Sequence, residues 1–417
     1  MIDDTIAALV REDTESRREA LVALCTDLVA ARSVNPPGDT RDVARVVLNA
    51  ITALGQSASL VHAIEEMPSV VARLDSGRPG RHLVLNVHLD TMPPGDEDAW
   101  SVPIWNLTRR DGRLWGLGMG NMKGAVAAMV HALGMLADRR DSWAGSITFT
   151  AVSDEVVFGP HGAAHLLATL PGLLGDGMIC GEGAGFRRLA IGEKGVLWLE
   201  LRASGDAGHS SSVLPGRSAS ARIARAITAV DSLTASGQLP ADLVIADPER
   251  ALALTANVGT VVAGTFIGQV ATDAVAAVDL RLPPGITVDH AQELVEAAIA
   301  SVDREPSVTV RRIKGWDPAV TDPASALVSS WERAEAAAGE HPAPFAVRLP
   351  ASDASRWRSA GTDAICFGPQ PTLSAGIDDY ADEDEVVRCA MLYTLTALDF
   401  LSSERTDAAD VTPATHG

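Results

Sequence analysis

Hydrophobic positions in the first thirty residues recur with a helical period. Ile6, Leu9, Val10, Leu21, Leu24 and Leu28 fall on one face, interrupted by a charged patch, so Ile2 to about Ala31 reads as one long or broken amphipathic helix. Ser33-Val-Asn-Pro-Pro-Gly ends it, and a second helix is predicted at roughly 40–54. The pattern then turns strand-like at Val70–Leu74 and His82–Val87, the latter running into His88-Leu-Asp90 and a Pro-Pro-Gly turn. A glycine-rich loop, Leu117 to Gly124, precedes a helix at 121–137 rich in small apolar residues, with Asn121 as its cap. Strand Ser146–Val152 delivers Ser153-Asp154-Glu155, a helix follows near 161–169, and strand Gly177–Cys180 leads into Gly181-Glu182. Strands alternating with helices predict an α/β sheet covered on both faces.

The texture changes near Ile191. Val196–Ala203, Val258–Ala263, Asp273–Leu282 and Ser307–Ile313 are strand-like, with helices at about 216–236 and 288–303, which together form an α+β module. From about 320 the α/β pattern resumes: helix 324–338, strand Pro344–Arg348, a helix capped near Asp353, strand Ala364–Phe367 and a last helix at 384–402. The division expected is therefore a catalytic domain at 1–190 and 314–403, an inserted domain at 191–313, and a disordered tail at 404–417. No internal repeat is evident.

Composition narrows the classes. A chain of 417 residues exceeds what one core usually supports, and its 47% hydrophobic content is ample for two. No run of about 18 uninterrupted apolar residues occurs, and Met-Ile-Asp-Asp-Thr lacks the order of a signal peptide, so a soluble, cytoplasmic protein without a membrane partner is expected. The four cysteines are scattered without metal-site spacing, which argues against a disulfide framework. A net charge of -20 without a basic stripe argues against nucleic acid. Lys123, Lys194 and Lys314 are the only lysines, so a lysine in a motif stands out.

Candidate chemistry gathers at strand ends. His88 and Asp90 lie past the carboxyl end of an apolar strand, where open α/β sheets place ligands, and residues two apart share a face. There an imidazole can bind a metal while the carboxylate orients it, although a structural histidine is equally compatible with the spacing. Glu155 beside Asp154 is a candidate general base, or a solvated turn. Glu182 lies past its strand on the ligand side. His209 sits in a loop as catalyst or spacer, and Arg281 could clamp a substrate carboxylate or pair with Asp279. His161 caps or packs a helix.

These segments, in order, resemble the M20 metallopeptidase and aminoacylase family, which includes acetylornithine deacetylase, succinyl-diaminopimelate desuccinylase and the glutamate carboxypeptidases. The resemblance rests on His-Leu-Asp-Thr-Met-Pro-Pro, Gly-Asn-Met-Lys-Gly, Ser-Asp-Glu, Cys-Gly-Glu, Gly-Glu-Lys-Gly-Val-Leu-Trp-Leu-Glu-Leu, Gly-His-Ser-Ser, Asp-Leu-Arg-Leu-Pro-Pro-Gly and Phe-Gly-Pro, and covers almost the whole chain. It implies an α/β catalytic domain split by an α+β dimerisation (lid) domain, a homodimer through that insertion, and a two-zinc mechanism in which a glutamate base takes a proton from the attacking water.

Position by position, the resemblance places His88 and Glu182 as terminal ligands of the first ion and Glu155 as the base. It keeps Asp90, His209 as the oxyanion-stabilising group and Arg281 as the carboxylate contact. The departures are Asn121 for the bridging aspartate, Val156 for a second glutamate, Ala375 for the final histidine, and Gly268 where an asparagine meets the substrate. The second ion loses its own ligands, and the first keeps an imidazole, a carboxylate and an amide oxygen, a poor set for zinc. The expectation is therefore no cofactor, or at most one weakly bound zinc, and not a di-zinc centre.

The reading that follows is an enzyme with Glu155, His209 and Asp90 as catalytic residues and Arg281, Asn121, His88 and Asp353 as substrate contacts. It would act on a small amino-acid-derived carboxylate by acyl transfer or amide formation, cyclisation or elimination without the two-zinc centre. An amidohydrolase, deacylase or carboxypeptidase with one weak metal is the alternative. A non-catalytic protein that binds a small carboxylate is the rival from another class.

Overall fold

The computed structural model describes residues 2–303, 307–371 and 376–402. The tail expected to be disordered and Ala375 lie outside them. Two compact units are present: unit 1 comprises Met1–Phe186, Ala324–Ala343 and Thr362–Gly417, and unit 2 comprises Arg187–Pro323 and Pro344–Gly361.

In unit 1 the opening amphipathic segment is two helices, α1 (Asp4–Ser16) and α2 (Arg18–Ala30), that meet at Arg17, where the charged patch interrupts the apolar face. Helix α3 (Arg41–Ala53) and strands β1 (Ala58–His62), β2 (Pro68–Asp75) and β3 (His82–His88) follow. Short strands β4 (Thr108–Arg110) and β5 (Arg113–Trp115) lead to helix α4 (Gly124–Asp138), strand β6 (Ser146–Val152), helix α5 (Ala163–Thr169) and strand β7 (Gly177–Cys180).

Unit 2 contributes β8 (Leu189–Glu193), β9 (Gly195–Ser204), α6 (Ala219–Asp231), α7 (Pro248–Leu252), β10 (Thr255–Ala263), β11 (Asp273–Leu282), α8 (Val288–Val302), β12 (Val308–Trp316) and β13 (Ala319–Val320). The chain returns to unit 1 for α9 (Ala326–Ala337), to unit 2 for β14 (Phe345–Arg348) and α10 (Ala354–Ser359), and ends in unit 1 with β15 (Ala364–Cys366), β16 (Tyr380–Asp382) and α11 (Glu383–Ser402). The stretch 344–361, read from sequence with the second part of the catalytic domain, falls in unit 2 because β14 pairs in parallel with β8.

The unit 1 sheet runs β1-β2-β6-β3-β7-β15. Its central pairs, β6 with β3, β3 with β7 and β7 with β15, are parallel, whereas β2 pairs antiparallel with β1 and β6. Strands β6 and β7 are buried along their whole length and β3 at all but its first residue, which is why they read as continuous apolar runs rather than alternating ones. Helix α4 is buried from Gly124 to Leu136, its glycine and alanine positions allowing close approach, and packs on α11. The parallel arrangement fixes function: the carboxyl ends of β6, β3, β7 and β15 all open on the same edge.

The unit 2 sheet is antiparallel, ordered β10-β11-β9-β12, with α6 and α8 closing one face over a core that includes Leu199, Leu201, Ile223, Val230, Val278, Leu280, Val295 and Ile299. Strand β10 forms an edge and is largely exposed, with Val261 at 51% and Val262 at 70%. No helix among the described residues is long and apolar enough to cross a membrane.

Candidate functional site

His88 is the last residue of β3 and is fully enclosed. Its Nδ1 donates to the Asp90 backbone carbonyl at 2.8 Å, so that nitrogen carries the hydrogen and Nε2 faces the opening of the sheet. Three groups converge on Nε2: Asn121 Oδ1 at 3.2 Å, Glu182 Oε1 at 3.5 Å and Glu155 Oε2 at 3.7 Å. Burial pulls the imidazole pKa down. Glu155, Glu182 and Asp90 push it up by more, to about 10. A buried cluster this rich in carboxylates requires a cation at its centre, whether a proton or a metal ion.

Asp90 has a different task from the one its distance to His88 suggests. One of its oxygens accepts from the backbone N–H of Glu155 at 3.2 Å, and the other from the N–H of Val156 at 3.0 Å and from Asn35 Nδ2 at 2.8 Å. The carboxylate therefore ties the end of β3 to the turn after β6 and sets where Glu155 points. Asn35, unnoticed in the sequence, also reaches Asp154 Oδ1 at 3.4 Å.

The expected pairing of Asp154 with Glu155 does not occur. Asp154 adopts a left-handed conformation, φ 61°, which turns its side chain away, and its Oδ2 accepts from His161 N at 3.1 Å and lies 2.9 Å from His161 Nδ1. His161 is accordingly a partner of this turn rather than a helix cap.

Asn121 is a second correction. It does not cap α4, whose N-cap position is Lys123. Asn121 has extended φ and ψ of -139° and 97° inside an irregular turn at Met119–Lys123, and this backbone delivers its amide to His88 instead. Gly118, at φ 87°, makes the turn possible, since a Cβ there would fall 2.6 Å from Thr91 Cγ2. The loop is clamped by Asp379, whose carboxylate accepts from Gly118 N at 2.7 Å and Gly120 N at 3.1 Å. Burial raises the Asp379 pKa to about 7, against the pull of those two amides and of Lys123. Lys123, buried with Nζ donating to Ala31 O at 3.0 Å, is lowered to about 7 by burial. Asp379 was visible in Gly376-Ile-Asp-Asp, yet nothing in the spacing reveals a loop clamp.

His88, Glu155 and Glu182 each present a ligand atom within 4.8 Å of the others, a set of one imidazole and two carboxylates that suits a single divalent cation. Glu155, the base in the reading from sequence, thus lies within ligand distance of the same position. Val156 is half-buried and brings no side-chain donor to the same loop.

The remaining expected site residues belong to unit 2. His209 is exposed, with Nδ1 2.8 Å from Ser211 Oγ and accepting from Ser211 N at 3.2 Å. Arg281 is engaged by Asp279, at 2.9 Å through Nη2 and 3.2 Å through Nε. Asp353 occupies the N-cap position of α10 without a side-chain cap hydrogen bond and lies 3.5 Å from Arg356.

Comparison with known proteins agrees with this architecture. A succinyl-diaminopimelate desuccinylase from Rhodospirillum centenum is 32% identical over 200 residues, 46% of this chain and 51% of that protein. One from Maricaulis maris is 37% identical over 128 residues, 29% of this chain and 33% of that protein. The chain thus spans about half the length, or less, of these curated relatives. The fold matches an M20 family metallo-carboxypeptidase from Sulfolobus solfataricus, with a TM-score of 0.71, 17% identity, and coverage of 91% of this chain and 99% of that one. It also matches human carnosine dipeptidase 1, with a TM-score of 0.73, 14% identity, and coverage of 95% and 99%. The profile of peptidase family M20/M25/M40 matches residues 84–399, and the chain belongs to that family.

Proposed function

We propose that this protein is an amidohydrolase-type enzyme that cleaves an N-acyl or peptide-like amide of a small amino-acid-derived carboxylate, using at most one divalent metal ion. The observation that carries the reading is the convergence of His88, Glu155 and Glu182 at the carboxyl ends of three adjacent parallel strands. His88 and Glu182 are the ligands, and a metal held there supplies Lewis-acid polarisation of the amide carbonyl. Glu155, aimed by the hydrogen bond from its own N–H to Asp90, takes the proton of the attacking water and passes it to the leaving nitrogen. Asn121 places its amide oxygen 3.2 Å from His88 Nε2, on the side where the family's bridging carboxylate would stand, as a neutral oxygen donor for the same ion. With an amide there and Val156 in place of a carboxylate, a second metal would find fewer donors among the described residues than the family's pair supplies.

The test combines metal analysis with a substrate panel. Protein purified without chelator is expected to hold about one divalent ion or less per chain and to release amino acid from one or more N-acetyl or N-succinyl amino acids. Near two zinc per chain would overturn the metal assignment. Absence of turnover across the panel with every divalent ion tried would favour the second reading, a metal-free acyl transfer that runs in the condensing direction. The loss of donors at Asn121 and Val156 supports that second reading. A third reading, a non-catalytic carboxylate-binding protein, requires binding without turnover in either direction.

The proposal extends to assembly. Strand β10 is an exposed edge with apolar residues on it, an arrangement suited to pairing with a second copy of the chain. A dimer is expected in sedimentation velocity, and a monomer at micromolar concentration would refute it.

A further inference from the structure

Four adjacent parallel strands end on the same edge of the unit 1 sheet, and three of them deliver His88, Glu155 and Glu182. The fourth, β15, continues into Phe367-Gly-Pro-Gln370-Pro371. This segment is wedged between the two loops that carry site residues. A Cβ at Gly183, the residue after Glu182, would fall 2.9 Å from the Gln370 Cβ. A Cβ at Gly120, the residue before Asn121, would fall 3.5 Å from Pro371 Cδ, and one at Gly124 would fall 3.2 Å from Pro369 Cγ. Gly368 approaches Gly181 so closely that a Cβ would meet its carbonyl oxygen at 1.9 Å. Gln370 is thereby fixed between the Asn121 loop and the Glu182 turn.

Its side chain is 2% exposed, and Oε1 meets no hydrogen-bond partner among the described residues. Enclosing an amide without a partner is destabilising, and folded proteins seldom do so without a reason. The unpartnered atom is an acceptor, so what it lacks is an N–H or O–H donor. A Leu of similar volume would fill the position without that penalty. The matching partner is a group that offers an N–H to that oxygen, which a secondary amide does and a carboxylate or an ester, having only acceptors, does not.

We propose that Gln370 reads the substrate: its Oε1 accepts the N–H of an amide group of the ligand bound over His88, Glu155 and Glu182. The inference rests on the amide-substrate reading given above and adds a specificity residue to it. A site built to pair with an N–H discriminates against an analogue that lacks one, because its own buried acceptor is then left alone.

The experiment compares amides with their ester counterparts on the full chain. In a Glu155→Gln background, which removes turnover, Kd is measured for N-acetyl amino acids and for the O-acetyl hydroxy acids that replace N–H by oxygen. With Gln370 intact the amides are expected to bind about tenfold or more tightly than the esters. Adding Gln370→Leu should erase that preference while Tm stays equal or rises, the opposite of what loss of a structural hydrogen bond produces. Equal amide preference with and without Gln370, or a falling Tm with the preference kept, overturns the proposal. A second readout does not depend on the hydrolase reading. In protein labelled with 15N-glutamine, the side-chain resonances that vanish in Gln370→Leu should shift with N-methylacetamide and not with methyl acetate. A shift in a protein that turns over none of the panel would keep the amide subsite and discard the hydrolase reading. Identical responses to both probes would discard the subsite.

Discussion

In unit 1 three buried carboxylates, Asp90, Glu155 and Glu182, close on one imidazole, whereas in unit 2 the buried carboxylate of Glu193 meets a guanidinium and a hydroxyl. Arg358 Nη1 lies 2.5 Å from Glu193 Oε1, and Ser352 Oγ donates to Oε2 at 2.8 Å. Arg358 also donates to Thr321 Oγ1 at 3.2 Å. In unit 2 charge is thus answered by opposite charge and by hydroxyls, the arrangement of a structural ion pair. In unit 1 three carboxylates face a single imidazole, whose pKa they raise to about 10. Both clusters are deeply buried, so burial does not distinguish a site from a scaffold. The balance of donors and charges does.

The largest effect expected is on the unbalanced cluster. Glu155→Gln keeps shape and removes the base, and kcat on the responsive N-acyl substrate should fall by roughly 10²–10⁴. Metal content measured beside it separates the roles: an unchanged content leaves Glu155 as base, and a lost ion makes it a ligand. On the balanced cluster the effect should be on stability instead. Arg358→Met removes the guanidinium that answers the buried Glu193 carboxylate and should cost about 3–5 kcal/mol in urea unfolding, with kcat per folded molecule retained. Joining Glu193→Leu to Arg358→Met should recover much of that loss, because two apolar groups replace a charge pair. If the double variant is no better than the single, the cluster is not the self-contained pair described above.

A smaller and more graded effect tests why the unit 1 cluster is incomplete. Replacing Asn121→Asp, Val156→Glu and Ala375→His together adds two carboxylates and an imidazole. Divalent ion content by elemental analysis should rise from about one per chain towards two. No rise would mean that the loops, and not only their side chains, differ from a two-metal geometry.

The sheet was legible in the sequence because strands buried on both faces are apolar without alternation, as in Ser146–Val152 and Gly177–Cys180. His88, Glu155 and Glu182 were legible because each follows such a strand. What escaped depends on where loops meet in space. Asn121 fits a helix-cap spacing, yet the irregular turn at Met119–Lys123 hands its amide to His88. Asn35 and Asp379 act on loops far from them in sequence, through hydrogen bonds that no local pattern records. Gln370 carries no motif of its own, and its place beside the Glu182 turn follows from the parallel register of β15 with β7. The charged patch left one long or a broken helix open, and the break falls at Arg17, which itself retains near-helical φ and ψ of -91° and -1°.

The smallest expected effect concerns the residue beside the balanced pair. Lys194 is buried, with Nζ donating to Ala253 O at 2.5 Å, and burial together with the charges of Arg250 and Arg281 lowers its pKa to about 8. Its unfolded value is 10.5, so between about pH 8 and 10.5 the unfolded chain binds more protons than the folded one. Stability from this group therefore rises with pH through that window, and below about pH 8 the fold carries the full penalty of burying the ammonium. Lys123 titrates in the same direction, so only the difference between wild type and Lys194→Met isolates Lys194. The wild-type Tm should gain on that of Lys194→Met between pH 7.5 and 10, by about 2–4 °C for each kcal/mol of linkage. Parallel Tm curves across that range would mean that Lys194 reaches solvent in the folded protein, and that its charge is tolerated there by hydration.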